Sequence, residues 1–205
     1  MKKILSTVAI LAVASAGFAQ GFVTLGNGAG TLYSTNGFAA GEPASTSAYY
    51  FDVLVENWTG SLVAATGANA VTTTNWLDTG VLTRNTTTGQ PGKILQVAGV
   101  TAANWAAGVT NEFIIVGWTA NIGSTWAVAE ANLASGLFGQ SAVSFEAAGA
   151  ASPGTPSVLW DGALGAQPYG TPIATGLNMV PIPEPTTLAL AGLGSLSLLL
   201  FRRRK

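Results

Sequence analysis

The chain contains neither cysteine nor histidine among its 205 residues. Without cysteine it can form no disulfide framework and perform no thiol chemistry. Without histidine it lacks the most frequent general base and metal ligand, and a Ser-His-Asp triad cannot be assembled. We therefore predict no catalytic, cofactor-binding or metal-binding residues, and we expect a protein that is not an enzyme.

Charged residues are also scarce: they make up 8% of the chain, against about 25% in an average globular protein. Six of the eight basic residues are terminal, which leaves only Arg84 and Lys93 between residues 21 and 180. Eight of the nine acidic residues lie in that interval, so its net charge is −6. A nucleic-acid partner is not expected, because binding to phosphates requires clustered lysine and arginine.

The N-terminal sequence MKKILSTVAILAVASAGFAQ has the three parts of a secretory signal peptide. Lys2-Lys3 is the basic region, the 13 residues Ile4–Ala16 form the apolar core, and small residues follow. We predict that signal peptidase cleaves after Ala19, so that residues 1–19 are removed and Gln20 becomes the first residue of the exported chain. A buried N-terminal helix is the alternative interpretation.

The C-terminal sequence VPIPEPTTLALAGLGSLSLLLFRRRK predicts a second segment that seeks the membrane. Residues 186–201 carry no charge, and as a helix they would be roughly 24 Å long. The hydrocarbon core is about 30 Å thick, and flanking basic side chains can extend the reach to the headgroups. Because basic residues stay on the cytoplasmic side, we predict a transmembrane helix over 186–201 followed by a cytoplasmic stub of Arg202, Arg203, Arg204 and Lys205.

The tail as a whole, residues 181–205, resembles the PEP-CTERM sorting signal of bacterial exported proteins. Pro183-Glu184-Pro185, the apolar run and the basic stub follow one another in the order and spacing of that family, although Ile182 stands where valine is frequent. The resemblance implies that an exosortase, a membrane-embedded cysteine transpeptidase, reads Pro183, Glu184 and Pro185. It also implies an inner-membrane anchor before processing and a cell-surface or extracellular location afterwards. An ordinary permanent anchor is the alternative interpretation.

Between the two ends, the sequence favours an all-β body, similar to a β-sandwich with one or two short helices. Tyr49–Glu56 alternates between an apolar face and a mixed face, which predicts a strand with one buried side. Phe113–Trp118 is apolar on both faces, as expected for a central strand. Weaker strands are expected over Ile94–Val100 and Ala142–Glu146. Regular glycine, asparagine and threonine residues mark the turns between them.

Two helices and a turn complete the expected body. Ser124 is predicted to cap a helix that runs to Ser135 and ends at Gly136, and residues 101–107 are predicted to form a shorter helical turn. Phe22–Leu25 and residues 31–34 flank a run of glycines, which suggests a hairpin or a wide turn.

Composition sets the expected domain boundaries. We place the β-rich body at residues 20–146, where the strand candidates lie. Residues 147–180 are rich in glycine, alanine, proline and serine, so we interpret them as irregular structure that leads into a linker. The sorting signal then occupies residues 181–205.

The remaining candidates for chemistry are carboxylates and tryptophans. Asp52 and Glu56 share a strand face about 13 Å apart, which exceeds the roughly 5–9.5 Å between the two carboxyl groups of a glycosidase. We therefore interpret both as solvated. Six tryptophans either fill the core or form a platform for sugars: Trp58, Trp76, Trp105, Trp118, Trp126 and Trp160.

These observations favour a non-enzymatic surface or extracellular-matrix protein, with exopolysaccharide as an associated partner. A carbohydrate-binding module is the first alternative, and a row of exposed aromatic side chains would favour it. A small glycoside hydrolase is the second, and a cleft with two carboxylates at catalytic separation would favour that.

Overall fold

The structure is a computed structural model that describes residues 20–35, 49–57, 76–86, 91–150, 156–160 and 170–182. Strands dominate this part of the chain, which confirms the all-β expectation. The strands are β1 (Gln20–Leu25), β2 (Ser34–Thr35), β3 (Tyr49–Asn57), β4 (Leu77–Asp78), β5 (Thr83–Arg84), β6 (Val97–Ala106), β7 (Thr110–Thr119), β8 (Leu137–Gln140), β9 (Ser144–Ala147), β10 (Ser157–Val158) and β11 (Asn178–Pro181). The helices are α1 (Trp126–Glu130) and two 3-10 turns, Ala120–Ile122 and Leu133–Ser135.

The antiparallel pair β3 and β7 forms the centre of the larger sheet. Every residue of β3 has a partner on β7, from Tyr49 opposite Thr119 to Asn57 opposite Asn111. Residues 111–118 of β7 are all buried, so the strand is covered on both faces. The prediction of a central strand from its doubly apolar sequence is therefore confirmed.

Each central strand is flanked on its other side by two short strands in succession. β9 pairs with the first half of β7 and β8 with the second half. β4 and β5 divide the free side of β3 in the same way. β11 continues the sheet beyond β8, and β2 pairs with β11 in parallel. The C-terminal end of the body is thus built into the larger sheet.

The smaller sheet has the order β10-β1-β6. Backbone hydrogen bonds of Leu159, Thr171 and Ile173 join it to the larger sheet on one side. The Leu159 N–H donates to the carbonyl of Thr24 on β1 at 3.1 Å, and the Ile173 N–H donates to the carbonyl of Leu159 at 2.9 Å. The Thr171 N–H then donates to the carbonyl of Phe145 on β9 at 2.8 Å. Backbone hydrogen bonds therefore connect the two sheets along this side.

Thr79 joins the two sheets on the opposite side. Its N–H donates to the carbonyl of Val53 on β3 at 3.2 Å, and its own carbonyl accepts from the Ala103 N–H on β6 at 2.9 Å. Its hydroxyl also donates to the Val53 carbonyl, at 2.7 Å. With both sides joined, the two sheets enclose a common interior.

That interior holds the first of two apolar cores. Alternate side chains of β3 point into it, and β1, β6 and β7 supply others. Its largest fully buried members are Leu25, Tyr33, Phe51, Trp105, Phe113, Ile115, Leu159 and Trp160. The second core lies on the opposite face of β7, where α1 packs, and it consists of Leu54, Ile114, Val116, Trp118, Ile122, Trp126, Ala129 and Phe138.

The predicted helical turn over residues 101–107 is wrong, because this segment is part of strand β6. Ala102 and Trp105 are both buried and three residues apart, a spacing that in sequence suggests a helix. In the structure a bulge produces that spacing: Asn104 has a φ of 59°, and the register with β1 shifts at this point. An extra residue in a strand moves the next side chain back to the same face.

The predicted helix from Ser124 to Ser135 is shorter than expected. The α-helix proper covers only Trp126–Glu130, with Thr125 as its N-cap, and a 3-10 turn follows at Leu133–Ser135. Asn132 explains the interruption, since its side-chain amide donates to the carbonyl of Val128 at 2.8 Å. A side chain that takes this acceptor replaces the backbone bond of a continuing helix.

The suggested hairpin between residues 22–25 and 31–34 does not form. β1 belongs to the smaller sheet, whereas β2 pairs with β11 of the larger one. The segment between them is a turn held from inside by Asn27, whose amide donates to the carbonyls of Thr31 and Gly92 at 3.1 and 2.8 Å. A buried asparagine side chain thereby fixes a connection between the two sheets.

The interpretation of residues 147–180 as irregular structure and linker needs correction. The described part of this stretch contains β10 and most of β11, and it adds six side chains to the first core: Ala148, Leu159, Trp160, Ile173, Leu177 and Met179. Their partners are distant in sequence, so no local alternation announces them. Apolar residues are sparse in this stretch, but these six are buried.

Candidate functional site

The sorting tail begins where β11 ends. Pro181 is the last residue of β11 and lies opposite Leu137 of β8, and the side chain of Ile182 packs against the second core. Met179, two residues earlier, is fully buried, and exposing such a side chain costs about 1.5–3 kcal/mol. The folded body therefore extends to the residue before Pro183, with no linker in between.

A groove of about 420 Å³ opens beside this exit point. Its floor is organised by two hydrogen bonds: the Leu137 N–H donates to the hydroxyl of Thr119 at 3.1 Å, and the Asn121 amide donates to the carbonyl of Ser135 at 3.1 Å. None of the residues that line the groove is charged, and most are small. They are Thr119, Asn121, Ala134, Ser135, Gly136, Leu137 and Pro181.

Asp52 is buried, which corrects its interpretation as a solvated residue. It is 2% exposed, and its carboxyl accepts a hydrogen bond from the Val53 N–H at 2.7 Å. Burial, together with the nearby Asp78 carboxylate, raises the pKa of Asp52 from 3.8 to about 8. Asp52 is therefore protonated at neutral pH and hydrogen-bonds to Asp78.

The partner carboxylate, Asp78, sits on the edge strand β4 opposite Leu54. It accepts a hydrogen bond from the Gly80 N–H at 2.6 Å, as expected for an aspartate at the start of a turn. The sequence did not indicate this contact, because 26 residues separate the two aspartates and only the register of β4 on β3 brings them together. Two carboxyl groups in hydrogen-bonding contact are closer than the roughly 5–9.5 Å required for glycoside hydrolysis.

A second buried carboxyl, Glu146, lies on β9 opposite Asn111 of β7. It is 1% exposed, and burial raises its pKa from 4.5 to about 6, while a hydrogen bond from the Ala147 backbone lowers it. Its Oε2 atom has no hydrogen-bond partner and faces the backbone of Gly170. Glu112 on the same sheet is also buried.

The tryptophans that the structure describes are mostly core residues. Trp105, Trp118 and Trp160 are 1% exposed or less, and each indole N–H donates to a backbone carbonyl, of Val109, Gly123 and Thr175 respectively, at 2.8–2.9 Å. Trp126 is buried in the second core, and the half-buried Trp76 packs against it. Trp58 lies outside the described residues.

Several predicted site residues also lie outside the described ranges: Ala19, Pro183, Glu184, Pro185, Arg202, Arg203, Arg204 and Lys205. Their roles stay predictions. Gln20, the expected first residue after signal cleavage, is the first residue of β1. No helix within the described ranges has the length and apolar character needed to cross a membrane, and the predicted span 186–201 is not among them. The same ranges contain no cluster of three acidic side chains that could hold a metal ion.

A family model described as the PEP-CTERM protein-sorting motif matches residues 181–205, the segment for which the sequence suggested that resemblance. No curated protein and no solved structure matches the chain.

Proposed function

We propose that the body of this chain is a non-enzymatic component of the cell surface or extracellular matrix. The chain carries a PEP-CTERM sorting motif, which marks it as an exported protein processed by an exosortase-type enzyme. The body is carried out by the N-terminal signal peptide, which signal peptidase removes after Ala19. The predicted helix over residues 186–201 then holds it in the inner membrane. Processing at Pro183-Glu184-Pro185 delivers it to the surface, where it associates with exopolysaccharide.

The observation that carries the proposed role is the way the body uses its aromatic and acidic residues. Of the five described tryptophans, four are buried in the two cores. Asp52 and Glu146 are likewise buried, and Asp52 is in contact with a second carboxyl group. Side chains that could stack on sugar rings or transfer protons are thus used in packing, which supports a structural role over an aromatic sugar platform or a hydrolase.

The test measures where the mature body is found in a host that makes exopolysaccharide. We expect the mature body to sediment with the polysaccharide and to be released when a glycosidase depolymerises it. A strain unable to make the polysaccharide is the control, and there the body should appear in the culture medium. Equal distribution in the two strains would contradict the association. Release of reducing sugar by the purified body would contradict the non-enzymatic role.

A further inference from the structure

The end of the body that carries the sorting tail also carries the groove beside Pro181. We propose that this groove contacts the sorting enzyme while the enzyme reads Pro183-Glu184-Pro185, so that the folded body is part of what the enzyme recognises. The inference rests on the proposed function in one respect, since it requires that an exosortase-type enzyme processes the tail.

The short distance between the groove and the motif favours such a contact. Pro181 lies both in the lining of the groove and in the last residue pair of β11. Because an extended chain advances at most about 3.6 Å per residue, Pro185 lies at most roughly 14 Å from Pro181. A folded domain of only about 100 residues already has a radius of gyration of about 13 Å. An enzyme that encloses the motif therefore meets the surface of the body next to it.

The residues before the motif are also held firmly by the body. Val180 and Pro181 are paired with β8, Met179 is fully buried and Ile182 packs on the second core. Drawing these residues into an extended substrate would unpair the end of β11 and expose apolar side chains. Approach of the enzyme to an intact body avoids that penalty and brings it against the groove.

The chemistry of the groove indicates the kind of surface that fits it. Its volume of about 420 Å³ lies within the range of about 300–1,000 Å³ typical of ligand sites. Ala134 and Gly136 leave room for a partner side chain, while the exposed Asn121 and Ser135 present amide and hydroxyl groups. With no charged lining residue, the groove suits an uncharged, hydrogen-bonding loop on the extracytoplasmic face of the enzyme.

The experiment fills the groove and measures how fast the tail is lost. Ala134 is exposed in the groove, so Ala134→Arg and Ala134→Glu should block it without disturbing the core. Ala127→Arg and Ala127→Glu are the matched controls, because Ala127 is an exposed alanine on α1 outside the lining. In a pulse-chase assay with a tag after Lys205, we expect both Ala134 variants to lose the tag at least about fivefold more slowly and both controls to match the unmodified protein.

A second set of variants, with a linker inserted before the motif, keeps the inference falsifiable even if an Ala134 variant folds poorly. A linker of six residues, composed of glycine and serine and inserted between Ile182 and Pro183, moves the motif by up to roughly 20 Å. In that background the Ala134 and Ala127 variants should lose the tag at equal rates, because the groove no longer lies beside the motif. A persistent deficit of the Ala134 variants would indicate misfolding and overturn the inference.

Two further results would also overturn it. Tag loss at the unmodified rate in both Ala134 variants would show that the groove is not contacted. If one of the two Ala134 variants, Arg or Glu, lost the tag more slowly and the other lost it faster, lipid headgroups would be indicated as the partner. The proposed function fails separately, if the tag on the unmodified protein is lost equally in a strain without the exosortase.

Discussion

At the scale of single residues, Asp52 is a buried carboxyl group whose burial the strand pattern did not predict. Its neighbours Tyr50 and Leu54 share its face of β3, and that face is covered by the second core rather than by water. Strand alternation predicts which side chains share a face, but it does not predict what covers a face of mixed polarity. The burial of Asp52 therefore depends on elements that reach this face from elsewhere in the chain.

The buried carboxyl predicts an unusual dependence of stability on pH. The pKa of Asp52 is raised from 3.8 to about 8, so the folded state binds a proton that the unfolded state has released. The resulting stabilisation is present at low pH and is lost as the pH rises through about 8. Between pH 6 and 8 we expect the free energy of unfolding to fall by at most about 1.4 kcal/mol per pH unit, and Asp52→Asn should abolish this slope.

Urea denaturation at pH 6, 7 and 8 measures the effect. The chain has no histidine, so no side chain with an ordinary pKa titrates in this window. Glu146 has a pKa raised to about 6. It also makes the free energy of unfolding fall as the pH rises, but mainly below pH 6. Glu130→Gln, at an exposed position on α1, is the control and should keep the slope. A variant Asp52→Asn whose slope equals that of the unmodified protein would show that Asp52 is ionised in the fold.

At the scale of elements, local pattern predicted the two central strands, and the weaker candidates at Ile94–Val100 and Ala142–Glu146 overlap β6 and β9. β3 and β7 carry their signal within ten residues, because one alternates and the other is apolar throughout. β10 and β11 carry no such signal, since two- to four-residue strands are stabilised by partners far away in sequence. The bulge in β6 even imitates a helix, because Asn104 brings Ala102 and Trp105 onto one side. The groove could not be predicted for the same reason, because its lining comes from separate segments of the chain.

The close contact between β8 and β11 gives a prediction at this scale. A Cβ atom at Gly139 would clash with the backbone carbonyl group of Asn178, and a paired backbone group has little room to adjust. Gly139→Ala should therefore separate β8 from β11 and lower the free energy of unfolding by about 1–3 kcal/mol. Because β11 leads into the sorting tail, susceptibility to proteolysis near Pro181 should rise as well.

Gly26→Ala is the matched control for this substitution. The three atoms nearest to its new Cβ all belong to the side chain of Gln96, which is exposed and can rotate away. We expect a change below about 0.5 kcal/mol in chemical denaturation. Equal stability of the Gly139 and Gly26 variants would contradict the packing of β11 against β8.

At the scale of the whole molecule, the sequence predicts separate tasks for the body and its two terminal segments. The closed arrangement of the two sheets depends on Thr79 on one side and on Leu159, Thr171 and Ile173 on the other. It was not predictable from sequence, because single backbone hydrogen bonds leave no pattern. Targeting signals depend on order and composition rather than on long-range contacts, so the terminal segments can be interpreted from sequence, and the signal peptide stays a prediction. For the tail, the match over residues 181–205 agrees with that interpretation.

The N-terminal segment predicts the first residue of the exported protein. Signal peptidase accepts only small side chains near the bond that it cleaves, so the exported chain should begin at Gln20, at the start of β1. Ala19→Glu should block cleavage and leave the uncleaved precursor in the membrane. N-terminal sequencing of the exported protein checks the site, with Ala19→Ser as a control that keeps a small residue at the same position. Detection of Met1 on exported protein would contradict the prediction.

Recognition of the tail by a sorting enzyme underlies both proposals, and the fate of a tag after Lys205 measures it. Membrane fractionation with an antibody to the body should show that the unmodified protein loses the tag and reaches the surface. The double variant Glu184→Ala, Pro185→Ala should insert normally but stay in the inner membrane with its tag, as should the unmodified protein in a host without an exosortase. If the double variant loses its tag and reaches the surface at the unmodified rate, the tail is an ordinary anchor and recognition of the motif is contradicted.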